Sequence, residues 1–287
     1  MSVLTDILDY SLLVVNLYVL LRIRISREES FRTPFFYWFF MTGIASSFSV
    51  VGFFIGSRMQ HTVEEGWRFK LGYMTNSFCI TFATIGKTFI SIHRYSVMRT
   101  NSCREDRWGD KMSYILTAIT CVLSFGGCMP VFWCGLTYKV VDNVTMVLYL
   151  DDECTITQKS RSSAVYFLYV IICVVLTALT SREFVKMSRM VESSTRRHII
   201  SSQRNMFIIV FIGTVTQMVK AVHQFCWVPI AIFKLDNLNL FLQNTYDIVH
   251  YVATYSFTAS LVIFNKRVRR LMMSMKIRDA IIVTSSN

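Results

Sequence analysis

The chain has 287 residues, of which 53% are hydrophobic, 14% aromatic and only 17% charged, against about a quarter charged in an average soluble domain. Its mean hydropathy is +0.43, yet its formal net charge is +12 and its pI about 9.4. This pairing excludes a nucleic-acid binder, which spreads its cations over a soluble fold. It points to an all-α membrane protein whose cations sit in short loops between uncharged runs.

Seven apolar runs follow one another and predict a seven-transmembrane helix bundle. The first covers Ile7 to Leu21. Asp6 and Asp9 lie at its start and arginines follow it, the reverse of a cleaved signal peptide, so it reads as a signal-anchor. The second covers Phe35 to Ile55, and the third, Phe69 to Tyr95, is the most polar. The fourth covers Ser113 to Leu136 and the fifth Ala164 to Ser181. The sixth, Met206 to Phe233, and the seventh, Leu240 to Phe264, are separated only by the polar turn Lys234–Asn239. Residues 1–264 thus form the transmembrane domain and 265–287 a tail.

Lys and Arg in short loops set orientation. The segments after spans one, three, five and seven hold 21 of the 30 basic residues, and the opposite side holds 7. The N-terminus is therefore expected outside and the C-terminus in the cytoplasm, in a multi-pass protein of the plasma membrane. The largest outer segment, Thr137 to Ser162, contains Asn143-Val144-Thr145, a glycosylation acceptor. In the tail, Val268, Leu271, Met272 and Met275 recur at helical spacing among Lys266, Arg267, Arg269, Arg270 and Lys276. Such an amphipathic basic helix is suited to lie on anionic inner-leaflet lipid.

Catalytic signatures are missing: there is no phosphate-binding glycine loop, no HExxH and no Gly-x-Ser-x-Gly. No cysteine pair has zinc-site spacing, so neither metal nor cofactor is expected. The informative groups are polar ones inside the spans, where burial is costly. At about 1.5 Å per residue from the outer ends, Asn76 and Asp247 lie roughly 10 Å deep, His223 and His250 roughly 15 Å, and Lys220 roughly 20 Å. Spans six and seven are neighbours across a tight turn. Lys220 and Asp247 therefore form a candidate ion pair, either a bridge locking the helices or part of a ligand pocket. The candidate pocket comprises Asn76, His223, Asp247 and His250, rimmed by Trp227 and Tyr246. Lys87 is read as structural or part of a gate toward the cytoplasmic end.

The third span ends in Ile92-His93-Arg94-Tyr95. An arginine followed by tyrosine there resembles the Asp-Arg-Tyr signature of G-protein-coupled receptors. The resemblance implies that His93, Arg94 and Tyr95 form the coupling site for a heterotrimeric G protein. Guanidinium suits that role, being always charged and rich in donors. His93 replaces the family's acid, so the usual restraint on the arginine is absent or different. Other marks of the rhodopsin type are weak. Span two lacks its aspartate, span seven lacks Asn-Pro-x-x-Tyr, and Cys226-Trp227-Val228-Pro229 falls close to the outer end. The usual helix-three disulfide position falls at Phe69, which leaves Cys134 as the nearest partner for Cys154.

Phe31-Arg32-Thr33-Pro34-Phe35-Phe36, Gly86-Lys87-Thr88-Phe89-Ile90-Ser91-Ile92-His93-Arg94-Tyr95 and the short basic loops resemble the nematode serpentine chemoreceptors, class gamma or the related class V. The resemblance spans essentially the whole chain. It implies a chemosensory receptor in a neuronal or ciliary membrane that binds a small molecule within the bundle. The competing reading is a seven-helix transporter or ligand-gated channel. Internal repeats and helices broken at matching places would favour a transporter. The sequence shows neither, and the charge asymmetry opposes an N-terminus inside.

Overall fold

The computed structural model describes residues 3–57, 66–100, 109–129, 136–141, 144–149, 152–189 and 194–273. Its long helices are α1 (Val3–Ile25), α2 (Pro34–Ser57), α3 (Gly66–Thr100), α4 (Asp110–Cys128), α5 (Asp152–Arg189) and α6 (Ser194–Phe225). They are followed by α7 (Trp227–Phe233), α8 (Asp236–Phe264) and the short tail helix α9 (Lys266–Met273). Strands β1 (Leu136–Val141) and β2 (Val144–Tyr149) form an antiparallel hairpin in register Leu136↔Tyr149 through Val141↔Val144. Helix α4 ends at Cys128 and a strand begins at Leu136, so the helix is shorter than the apolar run that suggested a span to Leu136. The strand segment, Leu136-Thr-Tyr-Lys-Val-Val141, is rich in β-branched and aromatic residues, which favour the pleated conformation.

Helices α1, α2, α3, α5, α6 and α8 pack in a closed ring, and α4 flanks α2 and α3 from outside. Polarity is inverted relative to a water-soluble protein. Helix α4 presents Tyr114, Ile115, Val122 and Phe125, and α5 presents Phe167 and Leu168, all about half exposed or more. The inward faces carry hydroxyls and amides that bond across helices. The Asn16 amide donates to Ser47 Oγ at 2.8 Å, Thr177 and Thr214 hydroxyls meet at 3.3 Å, and Thr216 and Ser256 at 3.0 Å. Apolar outside and bonded polar groups inside is the arrangement a bilayer demands, since lipid satisfies no polar group.

Close approach requires small residues. A Cβ on Gly52 would lie 2.8 Å from the Asn76 backbone nitrogen and 2.9 Å from the Gly72 carbonyl oxygen. The α2–α3 contact, the most extensive in the bundle, is built around that absence of a side chain. At the end of the bundle bearing α9, Phe31, Phe35, Phe36 and Phe39 form an aromatic cluster with ring centroids 4.9–6.3 Å apart.

By length and composition, five described stretches are apolar enough to cross a membrane: Pro34–Ile55, Lys111–Cys128, Glu153–Arg189, Gln203–Phe233 and Asn237–Phe264. Helices α1 and α3 are helical throughout at 23 and 35 residues, and in α3 polar and charged residues dilute the hydropathy. The sixth apolar run is broken into α6 and α7 at Cys226. Pro229 lacks an N–H, and its ring crowds the carbonyl four residues earlier, Phe225, where α6 stops. Lys234 ends α7 in the left-handed conformation, φ 52°, and α8 starts two residues later.

The tail corrects an expectation. Asn265 adopts extended geometry, ends α8, and caps α9 by accepting the N–H groups of Arg267 at 3.0 Å and Val268 at 3.2 Å. The apolar face of α9 then turns toward the bundle. Val268 is fully buried, and Leu271 and Met272 pack on the same core cluster. Arg22 Nη2 of α1 donates to the Leu271 carbonyl at 2.8 Å. Lys266, Arg267 and Arg270 stay exposed. The helical spacing serves packing against α1 and α8, while the cations and Met273 face outward.

Candidate functional site

Two polar loci lie inside the bundle. The first is a small cavity among α2, α3, α6 and α8, lined by Ser49, Thr84, Lys87, Gln217, Lys220 and His250 among others. Lys220 Nζ of α6 donates to His250 Nδ1 of α8 at 3.0 Å. That bond places the imidazole hydrogen on Nε2, which lies 3.4 Å from Ser49 Oγ. Ser49 in turn donates to Asn76 Oδ1 at 2.8 Å. A single directed chain, Lys220 to His250 to Ser49 to Asn76, therefore joins α6, α8, α2 and α3. The Gln217 amide and Lys87 Nζ both donate to the Ala253 carbonyl, at 2.9 and 3.2 Å.

Above the cavity the rings stack in a column. His250 lies parallel to Tyr246 with centroids 5.6 Å apart, Tyr246 lies 5.9 Å from His223, and His223 meets Trp227 edge-on at 6.1 Å. His223 Nε2 donates to the Leu242 carbonyl at 3.2 Å. Lys159 of α5 lies 4.1 Å over the Trp227 ring. Trp227 closes the column from the same face as His223, four residues earlier in the chain. Asn76, Lys220, His223, Trp227, Tyr246 and His250 are thus brought together.

Asp247 is buried at 6% exposure, but the proposed Lys220–Asp247 ion pair is not formed. Lys220 bonds His250 instead. The register of α6 against α8 sets Lys220 level with His250, and Asp247 lies almost one turn away toward α7. Lys87, read above as structural or part of a gate toward the cytoplasmic end, sits two turns from Arg94, about 10 Å along α3, and lines the cavity with Lys220. Sequence reasoning missed Lys87, Gln217 and Ser49 as cavity residues. The signal was present for Gln217, one turn below Lys220 on the same face.

The second locus surrounds Arg94, which is 6% exposed near the end of α3. Its guanidinium lies 4.1 Å over the Phe35 ring of α2, and Nη1 donates to Gln203 Oε1 of α6 at 3.4 Å. His93 is 1% exposed and Tyr95 half-buried. A small cavity opens beside Arg94 between α3, α5 and α6, lined by Met98, Thr180, Phe207 and Val210 among others. An aromatic face and a neutral amide are among the groups that hold the arginine.

Asn143 and Cys134 lie outside the described residues. Cys154, at the start of α5, is disulfide-bonded, whereas Cys79, Cys121, Cys128, Cys173 and Cys226 are free.

A family model described as serpentine type 7TM GPCR chemoreceptor Srv matches residues 5–277, nearly the whole chain. No curated protein matches the sequence.

Proposed function

Because this chain belongs to the serpentine type 7TM GPCR chemoreceptor family Srv, a multi-pass membrane family of sensory receptors and not of enzymes, we propose that it binds a small molecule in the cavity between α3, α6 and α8 and activates a heterotrimeric G protein through Arg94. The observation that carries this reading is the latch on Arg94. Its charge is buried against Phe35 and tethered to Gln203 on α6, the helix that also holds Lys220 in the cavity. A shift of α6 driven by a ligand at Lys220 strains the Gln203 tether at the other end of one rigid element. That supplies a physical route from one site to the other.

In this reading the N-terminus is outside and the C-terminus in the cytoplasm, in the plasma membrane of a sensory cell, where a cilium is the expected compartment. The loop charges support this orientation, and so does the basic end of the bundle. Arg22 and Arg24 close α1, Arg99 closes α3, and Lys186 and Arg189 close α5. The exposed cations of α9 face the inner leaflet and bind its anionic lipid. In the same reading Cys154 pairs with Cys134, and Asn143 carries a glycan.

The test is Arg94→Ala in purified receptor reconstituted in nanodiscs with a G protein. Surface expression should stay near wild type and agonist-driven nucleotide exchange should be abolished. Wild-type exchange from Arg94→Ala would end the coupling assignment.

A further inference from the structure

The cavity between α3, α6 and α8 carries cationic donors and no negative charge among its lining residues. Two ammonium groups, Lys87 and Lys220, line it together with the imidazole of His250, and none of its eleven lining residues is acidic. Lys220 is 5% exposed. Each ammonium carries three N–H donors. The Ala253 carbonyl accepts from Lys87 and the His250 ring from Lys220, while the Tyr166 ring lies 5.7 Å from Lys220 Nζ. Neutral acceptors of this kind do not offset two like charges in a medium of low dielectric. On α8 the nearest carboxylate, Asp247, lies outside the lining. The Gln217 amide also points its N–H at Ala253. The other wall is apolar, formed in part by Ile80 and Ala83. The enclosed space is small, with room for about one water, so a ligand seated there is short and displaces that water.

We propose that this cavity binds a small organic carboxylate, its two oxygens shared between Lys87 and Lys220 and its short carbon chain against Ile80 and Ala83. The inference rests on the receptor reading above and names the chemical class of its ligand. A carboxylate accepts only, with about four lone-pair positions, and forms charge-assisted hydrogen bonds with ammonium groups. It supplies the negative charge that the lining lacks. An amine would add a third cation, and a neutral alcohol or amide of equal size would leave both lysines uncompensated.

The experiment uses the full chain in nanodiscs, with thermal unfolding as the readout and ionic strength held constant. The probes are acetate, butyrate, hexanoate and octanoate, each beside its primary amide. At least one carboxylate should raise the unfolding temperature in a saturable, dose-dependent way, and its amide should not. Lys220→Met should weaken that effect roughly 10- to 100-fold, the range for a hydrogen bond to a charged group, and Lys220→Arg should largely preserve it. The proposal is overturned by amides acting as well as carboxylates, by chloride alone saturating the effect, or by no carboxylate acting at all. It is equally overturned by carboxylates acting undiminished on Lys220→Met and Lys87→Met. If the lysine variants do not fold, the carboxylate–amide pair on the wild-type chain still decides. Saturable carboxylate binding that drives no nucleotide exchange would leave the site standing and remove the coupling reading. Exchange driven only by neutral or cationic compounds would do the reverse.

Discussion

Replacing Phe35 by Leu should raise signalling in the absence of ligand. Phe35 is fully buried, and its ring face lies 4.1 Å from the Arg94 guanidinium, which is itself 6% exposed. A desolvated cation–π contact contributes about 2 kcal/mol, and leucine keeps most of the apolar volume while removing the aromatic face. The Gln203 hydrogen bond, at 3.4 Å, is long and contributes less. Only the difference between resting and released states counts. If the contact is lost entirely on release, deleting it favours the released state by roughly 25-fold at 1.4 kcal/mol per decade. A released state held at about 1% would then rise to roughly a fifth. The assay is basal nucleotide exchange on a G protein at matched receptor density. Phe39→Leu is the control, because Phe39 is equally buried in the same cluster and its ring stacks 6.3 Å from Phe35. Basal exchange from Phe35→Leu within twofold of wild type, or equal to that of Phe39→Leu, would refute the latch.

A double-mutant cycle on unfolding temperature should show strong coupling between Lys220→Met and His250→Phe and close to none between Lys220→Met and Asp247→Asn, because only the first pair is bonded. In α9, Leu271→Asp should cut surface expression sharply by placing a charge against the core cluster, whereas neutralising Lys266, Arg267 and Arg270 should spare expression. That triple change should instead weaken binding to vesicles containing anionic lipid by about 1 kcal/mol per cation. Asn143→Gln should remove an endoglycosidase-sensitive mass shift if the hairpin faces outward, and a wild-type receptor without that shift would argue against the orientation.

The bundle itself was legible because a bilayer leaves few choices. Runs such as Phe35 to Ile55 and Leu240 to Phe264 must be helical where no water can satisfy the backbone, so hydropathy alone located the helices. Much of the site was legible for a related reason: His223, His250 and Lys220 are costly in an apolar span and draw notice at once. Local chemistry also explains the break at Cys226, since Pro229 forbids the Phe225 bond, although the apolar run hides the break from a reading based on hydropathy. The hairpin was hidden in the same way: Leu136 to Val141 is as apolar as the helix before it, and β-branching was the better guide.

What sequence determined by itself is therefore which segments are helical, where each polar group falls along its own helix, and that Arg94 lies near the end of the third. Tertiary structure alone decided which of those groups meet. Depth leaves rotation about the axis and register between helices open, and those depend on packing, as where Gly52 lets α2 approach α3. A shift of one residue turns a helical side chain by about 100°, enough to exchange partners. That is why Lys220 bonds His250 and not Asp247, why Lys87 shares a cavity with Lys220 and not a gate with Arg94, and why the apolar face of α9 closes on the bundle and not on lipid.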